Sequence, residues 1–384
     1  MDAWFNPVVP VLGLTAAGAL MALVMVLSRK GRSEDEARAY LAGFRYVLSD
    51  DPDAAIAELA RAAQLNTQTL ETYFALGALF RRKGDLDRAI RLHQNMLLRP
   101  GLEPEVRRRA QIALAVDYRR SGLSGRAEEQ LEKVLSDEPE EREALAQLRQ
   151  IHEDAGQWER AAQLQARLVE LDSQGQAILA HHLAEHSRPK RASAPEEALA
   201  EARRAAEICP ASADAQLALG EALLSLSRTA EARQALVKAV DLEPELTPRA
   251  LRPLGQAMGA DELEALLRER AARGDARTAP YELTLAVHLR ERGEADRAIA
   301  HLRAVVERKP RFWEARKELG ALLLAQNRSE EVRAEYAELL GALGQPPLGF
   351  VCRDCGQKLL EHAFRCPACY AWDVVVREDS AGVR

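Results

Sequence analysis

Aromatic side chains make up only 5% of the 384 residues, and cysteine occurs five times, once at Cys209 and otherwise near the C-terminus. So few aromatics argue against a β-rich core. Ala, Leu, Glu and Arg dominate instead, which favours helix over most of the chain. Positive charge is not in excess: the formal net charge is −6, so no overall basic field attracts nucleic acid. The commonest catalytic signatures are also missing. There is no Gly-x-x-x-x-Gly-Lys-Ser/Thr phosphate loop, no Gly-x-Ser-x-Gly nucleophile elbow and no Gly-x-Gly-x-x-Gly turn after a strand.

The four terminal cysteines, Cys352, Cys355, Cys366 and Cys369, form two Cys-x-x-Cys knuckles separated by ten residues. Such a turn lets two sulfurs converge on one tetrahedral ion at about 2.3 Å, and two turns fill all four positions. A closed shell leaves no place for substrate or activated water, so the ion organises a small domain. Zn²⁺ and Fe²⁺/Fe³⁺ both accept four thiolates, and the spacing leaves both open. Two disulfides are the alternative, and they need an oxidising compartment. Gly356 follows the first knuckle, where a left-handed turn is expected, and His362 between the knuckles receives no ligand role. Phe350, Phe364, Trp372 and Val374 to Val376 are expected to form short strands that pack over the ion. About thirty residues cannot build an adequate core unaided, so metal binding supplies the folding free energy.

The opposite end bears on the compartment. Val8 to Leu27 runs twenty residues without a charge, about 30 Å as a helix, enough to cross a bilayer. Asp2 precedes the stretch, while Arg29, Lys30 and Arg32 follow it. A cleaved signal peptide has the reverse flank, and a buried core helix would show a polar face. The cationic flank stays in the cytoplasm, which predicts a single pass in the inner membrane with everything after Ser28 on the cytoplasmic side. Thiols stay reduced there, in accord with a metal site. Gly18 and Ala22 make a small-xxx-small pair of the kind that seats a second helix, compatible with a homodimer.

Between these ends the chain repeats itself. Leu76, Gly77, Gly84 and Ala89 set one unit, and Leu114, Ala115, Tyr118, Gly122, Ala127 and Pro139 the next. The register returns at Leu148, His152, Gly156 and Ala161, at Leu219, Gly220, Leu223, Ala232 and Pro244, at Leu285, Ala286, Leu289, Gly293, Ala298 and Pro310, and at Leu319, Gly320, Leu323 and Val332. A step of 34 residues with small residues at these places resembles the tetratricopeptide repeat, two antiparallel helices that approach closely and end at a proline. Gly43, Tyr46 and Ala55 open the array. Leu179 to His186 and Ala198 to Pro210 supply another unit, split by an expected long loop, Ser187 to Pro195. A degraded unit is expected from Leu254 and Gly255 to Ala271. About nine units result, stacked as a solenoid with an extended face lined by first helices.

That face is where peptides bind such arrays. Arg81, Arg82, Arg119 and Arg120 end two first helices, and Arg109 opens the second of them. In register they form a basic strip able to hold an acidic segment through charge-assisted pairs. The competing reading is that arginines near a helix C-terminus complement its dipole and stay solvated. Trp158 and Trp313 read as core or staple residues, and Cys209 as a small buried hydrophobe. His182, Glu185 and His186 match His-x-x-Glu-His, an inverted zinc-peptidase signature, with His181 adjoining. Catalysis would also need a third ligand, an open coordination position and a water-excluding cleft, whereas this stretch sits in a repeat helix. The expectation is that the chain is not an enzyme.

The fold class is thus all-α: a tetratricopeptide-repeat solenoid with an N-terminal transmembrane helix and a small C-terminal rubredoxin-like or zinc-ribbon metal domain. Its expected domains are an anchor at 1–28, the array at 29–345, the metal domain at 346–378 and a tail at 379–384. This layout, with the patches from Phe80 to Leu97 and Asp117 to Leu135 and the ending Cys366 to Trp372, resembles the lipopolysaccharide assembly protein B family. The resemblance implies an inner-membrane adaptor whose rubredoxin-like domain packs on the repeats. It also implies two protein partners, a membrane-bound AAA protease and the deacetylase of the committed step of lipid A synthesis, whose encounter restrains lipopolysaccharide production. Other inner-membrane proteins are further candidate partners. A rubredoxin-like electron carrier on a repeat scaffold is the alternative that the four thiolates leave open.

Overall fold

The computed structural model describes residues 70–172, 174–273, 278–310, 312–342 and 349–378, with positions 54, 57 and 58. The span expected at residues 8–27 and the opening repeat at Gly43, Tyr46 and Ala55 lie outside the described residues. Among the described residues no helix is long and apolar enough to cross a membrane. The chain divides into two compact units, Met1–Gln157 and Trp158–Arg384.

In the first unit the described helices are α1 (Leu70–Lys83), α2 (Leu86–Leu97), α3 (Pro104–Arg120), α4 (Ser124–Asp137) and α5 (Arg142–Asp154). The second unit holds α6 (Trp158–Leu171), α7 (Gln176–Ser193), α8 (Pro195–Ile208), α9 (Ala213–Ser225), α10 (Thr229–Leu242), a 3₁₀ turn at Pro244–Leu246, α11 (Thr247–Ala257), α12 (Ala260–Ala271), α13 (Ala279–Glu291), α14 (Ala295–Arg308), α15 (Trp313–Ala325) and α16 (Ser329–Ala342). Within each unit, first helices also stack on first helices: α1 on α3 and α3 on α5, then α7 on α9, α9 on α11, α11 on α13 and α13 on α15. The small residues of the repeat explain the spacing. Ala89, Ala127, Ala161, Ala232 and Ala298 are all fully buried, and a methyl group added at Gly220 would lie 2.5 Å from Leu236 Cγ. The turn after the first helix uses a left-handed residue. Gly84, Gly122 and Gly293 provide it at no steric cost, whereas Ser227 (φ 60°) and Asn327 (φ 57°) adopt it with a side chain.

One expectation needs correction. Ser187 to Pro195 is not a long loop: α7 continues through Ser193 with Pro189 inside it, and α8 begins at Pro195. Pro189 is exposed, and the basic residues around it are pinned to neighbouring helices, Lys190 Nζ to Glu201 at 2.7 Å and Arg191 to Glu221. These pairs hold a helix that proline alone would break. Ala194 leaves the helical region (φ −145°), as a residue before proline must, and Pro195 occupies a first helical position. The stretch around Leu254, expected as a degraded repeat, still forms two helices, but they are short and joined only by Met258 and Gly259. Its second helix stands off from its predecessor. Between α10 and α12 a cleft of about 950 Å³ remains, floored by Val237, Leu242, Met258 and Leu266 and spanned by ion pairs from Arg233 to Glu262 and from Arg270 to Asp241.

The C-terminal segment folds as a three-stranded antiparallel sheet. β1 (Phe350–Cys352) lies between β2 (Lys358–Leu359) and β3 (Val375–Arg377), with Phe350 opposite Leu359 on one side and Arg377 on the other. Its core is minimal: Phe350, Cys352, Cys366 and Val375.

Candidate metal centre and its seat on the repeats

The two knuckles share one backbone plan. In the first, the Gly356 N–H donates to the Cys352 carbonyl (3.0 Å) and Gly356 takes φ 73°. In the second, the Tyr370 N–H donates to the Cys366 carbonyl (2.9 Å) and Tyr370 takes φ 63°. The left-handed residue expected after the first knuckle is present, and its counterpart after the second is a tyrosine, which nothing in the sequence flags.

These turns bring four sulfurs together. All lie within 4.8 Å of one another, with Cys352 Sγ 3.6 Å from Cys369 Sγ and Cys355 Sγ 3.7 Å from Cys366 Sγ. Four sulfurs at about 2.3 Å from one ion stand about 3.8 Å apart along a tetrahedron edge, so the donor set fits a single tetrahedral ion. Among the described residues this is the one group of three or more candidate ligands within such reach. Cys352 and Cys366 are buried, while Cys355 and Cys369 face solvent. Burial pushes the Cys366 thiol up, but the N–H groups of Cys369 and Ala368 aimed at its sulfur bring it down to about 7. At Cys369 the Ala371 N–H acts the same way, yet desolvation and the three neighbouring thiols prevail and push it up to about 12. Protons thus compete for four crowded sulfurs, and a bound cation would take their place.

The sheet sits on the repeats of the second unit through charged side chains that repeat periodicity does not reveal. Arg377 of β3 makes a bidentate pair with Glu245 of the 3₁₀ turn (2.7 Å to each oxygen) and reaches Glu314 of α15 at 3.4 Å. Its guanidinium also lies over the rings of Phe312 and Phe350. At the other edge, Asp373 accepts from His181 Nε2 of α7 at 2.8 Å, and His181 Nδ1 meets Asp214 of α9 at 2.9 Å. Arg188 adds a second cation to Asp214. Burial works against a charged His181, but the two carboxylates overcome it and raise its pKa to about 9, so the ring is a cation between two anions at neutral pH. Trp372 stacks on that ring, with centroids 4.7 Å apart, and Phe364 lies tilted against it at 5.1 Å. Phe364 and Trp372 therefore turn toward the repeats, and only Phe350 and Val375 join the buried cysteines in the sheet's core.

The remaining candidates distribute as follows. Arg81 donates to the buried Asp117 at 2.6 Å, and Asp117 also binds His93 Nδ1 at 2.6 Å. Arg109 pairs with Glu71 at 3.1 Å and covers the Phe74 ring, and Arg119 reaches Asp154 at 3.4 Å. Arg82 and Arg120 are exposed. In the His-x-x-Glu-His stretch, His182 is fully buried, 6.2 Å from Trp158 and 5.7 Å from Trp372. Glu185 pairs with Arg188, and His186 faces Glu201 at 3.4 Å. The helix is thus used for packing and for seating the sheet. Trp158 and Trp313 are half-buried at helix starts, and Cys209 is a half-buried cap packed at a core edge. His362 stands edge-on to Phe350 and Phe364, a packing role. Sequence reasoning missed His181 as a docking residue, and it missed Asp373, Arg377 and Glu245 entirely. No periodicity marks them, because their partners lie between 33 and 192 residues away.

Comparison with known proteins agrees with this architecture. A tetratricopeptide repeat model matches residues 112–175, 179–246 and 283–346, and a second matches 72–107, leaving the short helices α11 and α12 unmatched. Lipopolysaccharide assembly protein B of Escherichia coli K12 is 29% identical over 363 residues, covering 91% of this chain and 92% of that protein. The protein of the same name from Haemophilus influenzae is 26% identical over 361 residues, covering 88% and 89%. Among solved structures, a tetratricopeptide repeat protein from Parabacteroides merdae aligns with a TM-score of 0.39 at 13% identity, over 76% of this chain and 99% of that one. The resemblance read from the sequence is borne out over nearly the whole chain, and a repeat scaffold with relatives named for assembly supports the expectation that the chain is not an enzyme. The repeat matches together take in more than half of the residues, and the chain belongs to the tetratricopeptide repeat family.

Proposed function

We propose that the chain is a membrane-anchored cytoplasmic adaptor that restrains lipopolysaccharide synthesis by presenting the deacetylase of the lipid A pathway to a membrane-bound AAA protease. The observation that carries this reading is similarity to proteins named for lipopolysaccharide assembly along 91% of the chain, over a scaffold built for gripping polypeptides. Tethering by residues 8–27 raises the effective concentration of the array beside a membrane protease, so a modest affinity suffices. The first-helix arginines are a partner surface in this reading. Arg120 and Arg82 are exposed there, and Arg109 and Arg119 hold their carboxylates at ion-pair distances that a partner's acidic side chain can contest. The metal, zinc or iron on Cys352, Cys355, Cys366 and Cys369, shapes the domain that clamps α7, the 3₁₀ turn and α15.

The test is a strain in which only a chain lacking residues 1–28 is expressed. Deacetylase level and lipopolysaccharide content are expected to rise toward those of the deletion strain, while the truncated protein remains folded. Full restraint by the untethered form would refute the mechanism. The solvent-facing sulfurs of Cys355 and Cys369 support a second reading, electron transfer. Metal analysis with a redox titration decides it, and redox-silent zinc removes it.

A further inference from the structure

The first helices α11, α13 and α15 of the second unit pack side by side, and each turns a narrow strip to solvent. On α13 nine of thirteen residues are buried, and the remaining four, Leu283, Val287, Arg290 and Glu291, share one face. The repeat register relates this strip to its neighbours. Two residues before the landmarks Leu254, Leu285 and Leu319 stand Arg252, Leu283 and Lys317, so one row across the three helices reads cation, leucine, cation. Four residues on, the next row is Gln256, Val287 and Ala321, which carries no charge. The ground between the two cations is therefore apolar, with Leu283 and Val287 both half-buried.

Arg249 adds a cation one turn before Arg252, and α11 itself contains no Asp or Glu. Arg249, Arg252 and Lys317 are all exposed, and among the described residues none of them makes an ion pair. The acids nearest to them are already engaged. Arg377 binds Glu245 and Glu314, and Arg290 pairs with Glu318 across α13 and α15. Glu291 carries no such partner, but it lies about two turns beyond Leu283 along α13. The first unit differs, since Arg81, Arg109 and Arg119 each hold a carboxylate of the chain. An incoming carboxylate has to displace an internal one there, whereas on α11 and α15 it meets cations that the fold leaves uncommitted.

We propose that this face binds an extended segment of a partner protein in which acidic residues flank an apolar one, with Arg249 and Arg252 at one end, Lys317 at the other, and Leu283 and Val287 beneath the middle. Packed helices stand about 8–10 Å apart, so the end cations are separated by roughly 20 Å, the reach of about six extended residues. A polypeptide supplies both features of the row, charge at the ends and an apolar side chain between them, whereas a polyphosphate or a nucleic acid backbone supplies charge alone. The inference needs only the repeat scaffold. It goes beyond the adaptor reading and depends neither on the anchor nor on the partners named there.

The test uses the full-length chain in an uncharged detergent and the fluorescein-labelled peptide Asp-Asp-Gly-Leu-Gly-Asp-Asp, read by fluorescence anisotropy. Salt-sensitive binding is expected, weakened about tenfold by R249A/R252A and further by K317A, with helicity unchanged because all three side chains are exposed. Peptides with Asn for Asp, or Gly for Leu, should bind more weakly. The double change R203A/R204A, which removes the same charge from exposed positions on the second helix α8, should leave binding intact. Amides of α13 should exchange more slowly with the peptide bound. Absence of binding, equal binding of the Asn peptide, or loss through R82A/R120A in place of R249A/R252A would overturn the proposal. So would capture of phosphatidylglycerol vesicles or of a single-stranded oligonucleotide through the same cations with the peptide unbound.

Discussion

His181 shows how much a single residue can carry that its sequence context conceals. It adjoins a peptidase-like motif, yet its ring is the hinge pin between Asp214 of the array and Asp373 of the metal domain. The linkage sign follows from the raised pKa. A histidine near 9 when folded and near 6.5 when unfolded contributes its full stabilisation below 6.5 and loses it as pH rises through about 9. Asp214 is shifted the other way: burial would raise it, but His181 and Arg188 hold it below 3.8, so its contribution is lost only in acid. Docking is therefore firm between these limits and loosens in alkali, by at most about 3 kcal/mol for His181. Trp372, stacked on the imidazolium, should brighten with a midpoint near pH 9 relative to Trp372→Phe, and Asp373→Asn should move that midpoint down. A flat profile would show that the ring is not charged in the seat. Ser227 offers a second residue-scale test. It is exposed and left-handed where other repeats use glycine, so Ser227→Gly should stabilise the protein by about 1 kcal/mol in thermal or urea unfolding.

At the scale of elements, most helices were legible because the small-residue register imposes close approach at fixed intervals, and Ala89, Ala127, Ala232 and Ala298 are buried where that register places them. The helix α7 was not legible. Pro189 and the basic cluster around it read locally as a loop, while the carboxylates that hold them, Glu201 and Glu221, lie on later helices. The signals at Pro195 and at Glu196 and Glu197 mark the first turn of α8 and carry no information on where α7 ends. Because Pro189 is exposed and contributes no amide to the helix, Pro189→Ala should stabilise by about 1–3 kcal/mol. The metal ligands were legible from spacing alone, but the seat was not, since ion pairs between distant segments have no period. The sheet has only four core residues, so an ion held by the four thiolates is expected to supply much of its folding free energy. Chelation or Cys369→Ser should release the metal and expose Trp372 while helical circular dichroism persists. Loss of repeat helicity would mean that the array depends on the tail for its secondary structure.

At the scale of the molecule, the metal domain touches two first helices, α7 and α15, and the 3₁₀ turn of the second unit. Asp373 meets His181 on α7, which in turn holds Asp214 on α9, while Arg377 binds Glu245 and Glu314 on α15. Asp214 and Glu314 occupy the same place in their repeats, six residues before Gly220 and Gly320; Arg377 reaches Glu314 directly, and Asp373 reaches Asp214 only through His181. A stack of repeats gains stability from nearest neighbours only, and its members can open separately. A clamp from α7 to α15 adds a long-range tie that such a stack lacks. Removing residues 346–384 should strip Glu245 and Glu314 of Arg377 and the charged His181 of Asp373, which loosens the ties of the 3₁₀ turn, of α15 and of the α7–α9 pair. Amides of α7, α9 and α15 should then exchange faster and the second unit should melt earlier and more broadly, while α1 to α5, in the other unit, keep their protection. Uniform loss of protection across both units would mean that the sheet supports the array as a whole, and unchanged exchange in α7, α9 and α15 would mean that it is cargo carried by a self-sufficient stack.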